Sequence, residues 1–259
     1  MNAPILQRRD ARGIAHLTLN RPAQRNALSV GLMSALQEAL DAIAGDASVH
    51  VVVIGGAGPG FCAGHDLKEV RAHPGREQYD ALFAQCSALM TAIVNLPKPV
   101  IARVHGIATA AGCQLVATCD LAIAAETARF ATPGVNIGLF CSTPMVALSR
   151  NVAPKHAMEM LLTGDMIDAA AAERIGLVNA VVPEAGLDDA VAALAGKIAA
   201  KSPLTLKIGK EAFYRQREMG LEEAYAYASR VMTQNMLARD AEEGIDAFIE
   251  KRPPVWRGE

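Results

Sequence analysis

The sequence is poor in aromatic side chains, in net positive charge and in long apolar runs, and each shortage argues against a class of function. Aromatic residues make up 4% of the chain, and the formal net charge at pH 7 is −2. No basic run is interleaved with aromatics, so we expect no nucleic-acid partner. No apolar run reaches the length that crosses a bilayer, so we expect no membrane insertion.

The cysteines are also too few and too irregularly spaced for a disulfide framework or a zinc site. There are five, an odd number, and no two form a Cys-x-x-Cys pair. This pattern favours a reduced, intracellular compartment and no bound metal. The N-terminal stretch MNAPILQRRD lacks the apolar segment of a secretory signal, and we therefore expect a cytoplasmic protein.

What the sequence does contain is an alternation of strand and helix patterns. Apolar residues make up 51% of the chain, which is enough for a packed core. Recurrence of strand, turn and helix along the chain predicts an α/β fold with parallel strand pairing. The predicted strands lie at residues 13–20, 49–56, 99–106 and 121–124, and the predicted helices at 29–45, 76–95 and 111–118.

The pattern becomes mainly helical in the second half of the chain. One strand-like piece remains at residues 176–183, and helix is expected from Pro203 to Phe248. We therefore divide the chain into an α/β core, residues 1–202, and a C-terminal helical region, residues 203–259. Aromatic side chains recur at helical spacing in the second part and predict either packing onto the core or an oligomer contact: Phe213, Tyr214, Tyr225 and Tyr227.

Two turns rich in small residues are the first candidates for chemistry. They are FCAGHDLKE, residues 61–69, and HGIATAAGCQ, residues 105–114, and each follows a predicted strand. Small residues let a ligand approach the backbone, and the N–H groups at a helix start are free to donate. Two such donors on one oxygen form an oxyanion hole, worth roughly 3–4 kcal/mol per donor in a transition state. Neither of the glycine patterns that bind phosphate groups, G-x-G-x-x-G and G-x-x-x-x-G-K-(S/T), occurs in the sequence.

Four segments occur in order along the chain: NRPAQRNALS (20–29), FCAGHDLKE (61–69), KPVIARVHGIATAAGCQLVATCDLAIA (98–124) and GIDAFIEKR (244–252). Taken together, they resemble the crotonase, or enoyl-CoA hydratase/isomerase, superfamily. The segment FATPGVNIGLFCSTP and the ending KRPPVW are more similar to the subgroup of the enoyl-CoA hydratase domain-containing protein 3 than to the classical hydratases.

The resemblance implies a fold and a ligand. The fold is the crotonase (ClpP-like) spiral of ββα units, with a C-terminal helical region that builds homo-oligomers, either trimers or dimers of trimers. The ligand is an acyl-CoA thioester, so coenzyme A enters as part of the substrate and no tightly bound cofactor is expected. Neither the chain length of the acyl group nor the reaction follows from the resemblance.

The resemblance also implies roles for particular residues. Two backbone N–H groups, those of His65 and Ala111, would hold the thioester carbonyl. The last helix would supply Phe248 and Lys251 to coenzyme A, often in a neighbouring subunit. Coenzyme A would follow the backbone of the first turn, at Ala63, Gly64, His65, Asp66, Leu67 and Lys68.

The chain departs from the family at both catalytic carboxylates. Hydratases of this family use two glutamates, and this chain has Gln114 and Gly134 at those positions. An amide does not take a proton at neutral pH, and glycine has no side chain. Each acid–base group typically gives about 10²–10⁴-fold in rate, so we expect little true hydratase activity. Restoring both, with Gln114→Glu and Gly134→Glu, is predicted to raise that activity.

Several residues are candidates to replace the carboxylates. Cys141 or Ser142 would act as a nucleophile if a base lay beside it. In the alternative, Cys141 is a buried apolar residue and Ser142 caps the following helix. His65 would act as a base, or cover the coenzyme A channel, or bond a backbone carbonyl. Asp120 and Glu126 are further candidates, with structural capping as the alternative for Asp120, and Asn136 can orient a water.

Three functional hypotheses therefore remain from the sequence. The first is an enoyl-CoA hydratase/isomerase-like enzyme of the lyase class in fatty acid metabolism, with unconventional proton transfer. The second is an acyl-CoA thioesterase, or other acyl or enolate chemistry, that uses Ser142 or Cys141. The third is a non-catalytic acyl-CoA binder.

Overall fold

Two β-sheets form the framework of the structure, a computed structural model that describes residues 3–259. Their strands are Leu6–Ala11 (β1), Ile14–Leu19 (β2), Val51–Gly56 (β3), Gly60–Cys62 (β4), Val100–Val104 (β5), Ile107–Thr109 (β6), Leu121–Ala125 (β7), Arg129–Ala131 (β8), Ile167–Asp168 (β9) and Ala180–Val182 (β10). The larger sheet has the order β1-β2-β3-β5-β7-β10, and the smaller has the order β4-β6-β8-β9.

Helices cover the larger sheet and make up most of the second half of the chain. They are Val30–Ala44 (α1), Leu67–Ala72 (α2), Arg76–Asn95 (α3), Ala111–Thr118 (α4), Ser142–Asn151 (α5), Pro154–Thr163 (α6), Ala169–Arg174 (α7), Leu187–Ala199 (α8), Pro203–Gln216 (α9), Leu221–Met236 (α10) and Arg239–Glu250 (α11). The last three helices replace the continuous helix expected beyond Pro203, with breaks near Gly220 and Ala238.

The longer elements lie where the sequence predicts them. Strands β2, β3, β5 and β7 and helices α1, α3 and α4 match the predicted segments. The inner strands of the larger sheet pair in parallel, as predicted. Within residues 3–259, the pairs β1–β2 and β8–β9 are antiparallel. Between β1 and β2, Arg12 and Gly13 have φ values of 52° and 75°, as a two-residue hairpin turn requires.

Three strands of the larger sheet each continue into a short strand of the smaller one, β3 into β4, β5 into β6 and β7 into β8. The second corner needs glycine, because a Cβ on Gly106 would lie 2.4 Å from the carbonyl oxygen of Pro59. Since β4 and β6 are parallel neighbours, their carboxyl ends meet at one edge of the smaller sheet. The turns that follow Cys62 and Thr109 are therefore brought together.

The larger sheet is covered on both faces, which explains the continuous apolar run in β3. Val52 and Ile54 point into the main core, which also holds residues from α1, α3 and α4. Val51 and Val53 point to the opposite face and pack with residues of α8, among them Leu187. Alternation of side chains along a strand places successive residues on opposite faces, so all four valine and isoleucine positions are buried.

A half-buried carboxylate ties α9 to the sheet. Asp120 accepts hydrogen bonds from the backbone N–H of Val100 (2.7 Å), the Lys210 ammonium (2.7 Å) and the Tyr214 hydroxyl (2.8 Å). Asp120 therefore has a structural role, which the sequence analysis gave as the alternative to a catalytic one. Tyr214 is half-buried, whereas Phe213 and Tyr225 in the same helical region are exposed.

The C-terminal tail folds back on the junction between α8 and α9. Trp256 donates its indole N–H to the Ala200 carbonyl (2.9 Å). Asp240, which is buried, accepts from the Ser202 hydroxyl (2.6 Å) and from the backbone N–H groups of Arg257 (2.8 Å) and Gly258 (3.0 Å). The division of the chain at residue 202 stays a prediction, and residues 1 and 2 of its first part lie outside the described residues.

Docking of this tail is predicted to be pH-dependent. Burial disfavours the charged form of Asp240, but the hydrogen bonds it accepts outweigh burial and lower its pKa below the ordinary value. A carboxylate with a lowered folded-state pKa stabilises the fold above its unfolded pKa, about 4. That stability is lost as the pH falls through the folded-state value. Asp240→Asn is expected to destabilise the protein by about 1–3 kcal/mol at pH 7, and less at lower pH.

Thermal unfolding of the two proteins between pH 7 and pH 3 measures this difference. Trp256 is the one tryptophan in the sequence, so its fluorescence reports on the tail directly. Asp246→Asn is the matched control, because Asp246 is an exposed carboxylate on the same helix. A difference in stability between Asp240→Asn and the parent that stays constant with pH would contradict the prediction.

Candidate active site

The two turns predicted to carry chemistry lie in contact at the edge of the smaller sheet. A Cβ on Gly64, whose φ is +91°, would lie 2.9 Å from the Cβ of Ala110 and 3.3 Å from the backbone nitrogen of Ala111. The Thr109 hydroxyl donates to the carbonyl of Ala63 (3.1 Å) and joins the two turns. Glycine at position 64 is therefore what lets the first turn reach the start of α4.

The backbone N–H of His65 is left free by the way its neighbours bond. Leu28 donates its N–H to the Gly64 carbonyl (2.7 Å) and accepts from the N–H of Asp66 (3.2 Å). In this parallel bridge Gly64 and Asp66, the two neighbours of His65, form the hydrogen bonds to Leu28. The N–H of His65 therefore points away from Leu28. Within residues 3–259 this N–H donates no hydrogen bond.

The backbone N–H of Ala111 is free for a different reason. Ala111 is the first residue of α4, where N–H groups have no partner inside the helix. Before it, Ala110 takes φ 49° and ψ −119°, a region unfavourable for a residue with a side chain. The N–H of Ala110 is held by the carbonyl of Ala131 (2.9 Å). All eight residues of α4 are buried, so its positive end acts in a weakly screened environment.

The side chain of His65 does not point to a hydrogen-bond partner. Both ring nitrogens are buried without one in the described part of the chain, and the ring packs edge-on against Phe83 at 5.9 Å. Burial lowers the pKa of His65, although the charge of Glu69 opposes this, so the imidazole is neutral at pH 7. Its use as a base stays a prediction, and the alternative bond to a backbone carbonyl is not formed.

Gln114 lies on α4, three residues after Ala111. Its side chain is 4% exposed, and its Oε1 lies 3.9 Å from the Sγ of Cys86. With the oxygen turned to that thiol, Nε2 has no partner among residues 3–259. Gln114 therefore presents a donor, and it cannot take up a proton as a glutamate would.

Gly134 has no room for a side chain. A Cβ there would lie 2.6 Å from the carbonyl oxygen of Leu139 and 2.9 Å from the Sγ of Cys141. The segment is held in this form by a 3₁₀ turn over Pro133–Ile137 and by the Leu139 N–H, which donates to the Gly134 carbonyl (2.9 Å). The first side-chain carbon of a glutamate at position 134 would collide with the backbone. The sequence led us to expect that Gly134→Glu would restore a carboxylate, but the structure has no space for this side chain.

Cys141 and Ser142 lie at the start of α5. Cys141 is buried, and burial raises the pKa of its thiol despite a hydrogen bond from the Gly134 backbone. Ser142 is exposed and is the first residue of α5, and its hydroxyl donates to the Phe140 carbonyl (3.4 Å). The prediction that Ser142 caps this helix is therefore wrong. Among residues 3–259 neither group bonds to a base, so covalent catalysis stays a prediction.

The remaining predicted residues lie around the first turn, after β7, in the 3₁₀ turn and at the C-terminal end of α11. Asp66 caps α2 by accepting from the N–H groups of Lys68 (3.2 Å) and Glu69 (3.4 Å). An ion pair with Arg21 (2.8 Å) lowers the pKa of Asp66. The side chains of Leu67, Lys68, Glu126, Asn136, Phe248 and Lys251 are exposed, so their roles stay predictions.

A cavity of about 750 Å³ lies between α3, α4, α5 and α9, and Gln114 forms part of its wall. No sequence pattern predicts it, because four separate elements contribute its lining. Within residues 3–259 no group of three His, Cys, Asp or Glu side chains is arranged to hold a metal ion. In the same residues, no helix combines the length and the apolar character needed to cross a membrane.

A comparison with known families identifies the chain. The sequence model of the enoyl-CoA hydratase/isomerase family matches residues 9–259. The chain belongs to this family. Among curated proteins, it is 47% identical to the rat mitochondrial enoyl-CoA hydratase domain-containing protein 3, over 94% of this chain and 81% of the relative. It is also 37% identical to the Escherichia coli 2,3-dehydroadipyl-CoA hydratase, over 93% and 94% of the two chains.

Solved structures of family members confirm the predicted fold. A Mycobacterium smegmatis enoyl-CoA hydratase is 56% identical and superposes with a TM-score of 0.96, over 98% of this chain and 99% of its own. The human enoyl-CoA hydratase domain-containing protein 3 is 46% identical with a TM-score of 0.95, over 98% and 100%. This chain therefore has the crotonase fold. Its predicted similarity to the subgroup of the enoyl-CoA hydratase domain-containing protein 3 is also confirmed.

The expected cytoplasmic location is wrong by the same comparison. Relatives from rat, frog, mouse, human and zebrafish, 46–47% identical, are all named mitochondrial. Free thiols and a polar surface are equally compatible with any reducing aqueous compartment, so composition does not separate one from another.

Proposed function

We propose that this family member binds acyl-CoA thioesters and holds the thioester carbonyl between the backbone N–H groups of His65 and Ala111. The observation that carries the proposal is that these two unpaired donors lie on turns in contact through Gly64 and Ala110. Donors that are fixed before the ligand arrives stabilise negative charge on oxygen without reorganisation. Such a site polarises the thioester and stabilises an enolate.

Coenzyme A enters this proposal as part of the substrate. Its proposed path follows the backbone of residues 63–68, with Lys68 exposed beside it. Phe248 and Lys251 complete the path in a homo-oligomer, either a trimer or a dimer of trimers. Support for assembly comes from large apolar side chains left exposed on α10, on α11 and between them in the single chain: Leu221, Tyr225, Met232, Leu237, Phe248 and Ile249.

The proposed chemistry excludes efficient hydration by two carboxylates. Gln114 offers an amide donor, and Gly134 offers no side chain and has no space for one. Relatives named as hydratases support an enoyl-CoA as a ligand, while the missing carboxylates argue against hydration as the main reaction. We infer an acyl-CoA-binding protein with an intact oxyanion hole and a diverged or impaired catalytic step.

Binding and hydration are measured separately to test this proposal. Titration calorimetry with crotonyl-CoA, butyryl-CoA and free coenzyme A is expected to show tighter binding of the thioesters. Hydration of crotonyl-CoA is expected to be slower by about 10²–10⁴-fold per missing carboxylate than in a hydratase that has both. Equal rates would contradict the inferred loss of catalysis, and thioesters that bind no better than coenzyme A would contradict the oxyanion hole.

A further inference from the structure

The cavity begins one helical turn from Ala111 of the proposed thioester site, at Gln114, and extends along α4. Gln114, Ala117 and Thr118 line it in succession, and Ala111 lies one turn before the first of them. At 1.5 Å per residue, Thr118 is about 10 Å farther along the helix axis than Ala111. An acyl chain whose carbonyl sits at Ala111 therefore has this cavity ahead of it.

The inner wall of the cavity is apolar. Met90, Val94 and Leu96, from α3 and the residue that follows it, face Ala117 of α4 and Ala147 of α5 across the space. Volume and lining match a site for a small molecule with a hydrocarbon body. An extended chain advances about 1.2 Å per bond, so the distance along α4 matches about eight carbons.

The outer end of the cavity is cationic. Of the two carboxylates there, Glu218 is paired with Arg150 (3.3 Å). Three further cations on α9 and the residue after it, Lys207, Arg215 and Arg217, have no carboxylate partner within residues 3–259, and Glu211 is the remaining carboxylate.

Two of these cations are held by other contacts. Arg215 lies over the ring of Tyr227 at 5.0 Å, and Arg217 lies over the ring of Phe213 at 5.5 Å. Arg217 also donates to the Arg150 carbonyl. Contacts with ring faces orient a guanidinium but leave its charge uncompensated. Asp120, which follows α4, binds Lys210 and Tyr214 of α9, so this part of α9 lies at the end of α4 opposite Ala111. The rim of the cavity thus keeps an excess of positive charge at that end.

We propose that the cavity selects acyl-CoA thioesters whose chain, of about eight carbons, ends in a carboxylate. The inference rests on the proposed function, because that function places the thioester at Ala111. The apolar wall takes the methylene groups, and the terminal carboxylate meets Lys207 and Arg215 at the rim. A plain acyl chain of equal length fills the same wall but leaves its methyl end among cations.

A matched pair of ligands tests the proposal. Octanoyl-CoA and the mono-CoA thioester of octanedioic acid have the same number of carbons and differ in the terminal carboxylate. The second is expected to bind about 10-fold more tightly to the parent protein, as one charge-assisted hydrogen bond provides. The preference is expected to shrink at high ionic strength, because the rim is open to solvent.

Variants then locate the selectivity. Lys207→Gln and Arg215→Gln, alone and together, are expected to remove most of the preference while octanoyl-CoA binding stays the same. Lys197→Gln on α8 makes the same charge change on the opposite face of the larger sheet and is expected to have no effect. Equal binding of the two ligands by the parent, or a preference kept in the double variant, would overturn this inference alone. If neither ligand binds, the proposed function itself fails.

Discussion

Replacing Gln114 by Glu is expected to raise the rate of crotonyl-CoA hydration by about 10²-fold over the parent, with Gly134 left unchanged. Gln and Glu have nearly the same shape, and the Gln114 side chain already lies in the wall of the cavity one turn from Ala111. Burial beside Cys86 raises the pKa of a carboxyl group at this position. A raised pKa makes a carboxyl group better suited to both giving and taking a proton.

The second carboxylate is not expected to return by simple replacement. Gly134→Glu places a Cβ 2.6 Å from the Leu139 carbonyl oxygen, so the backbone after the 3₁₀ turn must move. Overpacking of this kind costs about 1–3 kcal/mol. Gly134→Ala is expected to show most of that loss, since the first carbon causes the collision. The double variant with Gln114→Glu is therefore expected to be less stable, and no faster, than Gln114→Glu alone.

Steady-state hydration and thermal unfolding of the same proteins distinguish these outcomes. Gly209→Ala is the control, because a Cβ at Gly209 on α9 meets no atom within 4 Å, and glycine inside a helix is destabilising. A folded Gln114→Glu protein with the rate of the parent would show that the site has diverged beyond this residue. A Gly134→Ala protein as stable as the parent would contradict the packing argument.

Replacing Ala111 by Pro is expected to weaken thioester binding and to lower any turnover by about 10²–10³-fold, the usual cost in rate of losing one oxyanion donor. Proline has no N–H, and its fixed φ suits the first residue of a helix, which Ala111 is. The ring also occupies the space into which the N–H points. Ala111→Gly is the matched control, since it keeps the N–H and is expected to retain binding.

The absorption of a bound aryl-acryloyl-CoA gives a second measurement, because hydrogen bonds to the carbonyl polarise the conjugated thioester. The parent and Ala111→Gly are expected to shift this absorption to longer wavelength, and Ala111→Pro is not. Circular dichroism checks that α4 has formed in each variant. An unshifted spectrum in the parent would show that His65 and Ala111 do not hold the carbonyl, whatever the fate of the proline variant.

Long elements with a clear apolar pattern were predictable from the sequence, and short ones were not. The alternation in β2 and the apolar stripe of α1 match buried faces in the structure. Strands β4, β6 and β8 have three residues each, too few to show a period, and they form by pairing with one another. Their pairing is what brings the two candidate turns together.

By itself, the sequence determined the family, the order of the long elements, and the absence of glutamates at positions 114 and 134. Those properties reside in residue identity and local spacing, which are readable along the chain. Only the tertiary structure decided that Gly134 has no space for a side chain, that the His65 ring is buried without partners, and that α9 places cations at the end of an apolar cavity. Each depends on atoms far apart in sequence that packing brings within a few ångströms, and no local pattern encodes such distances.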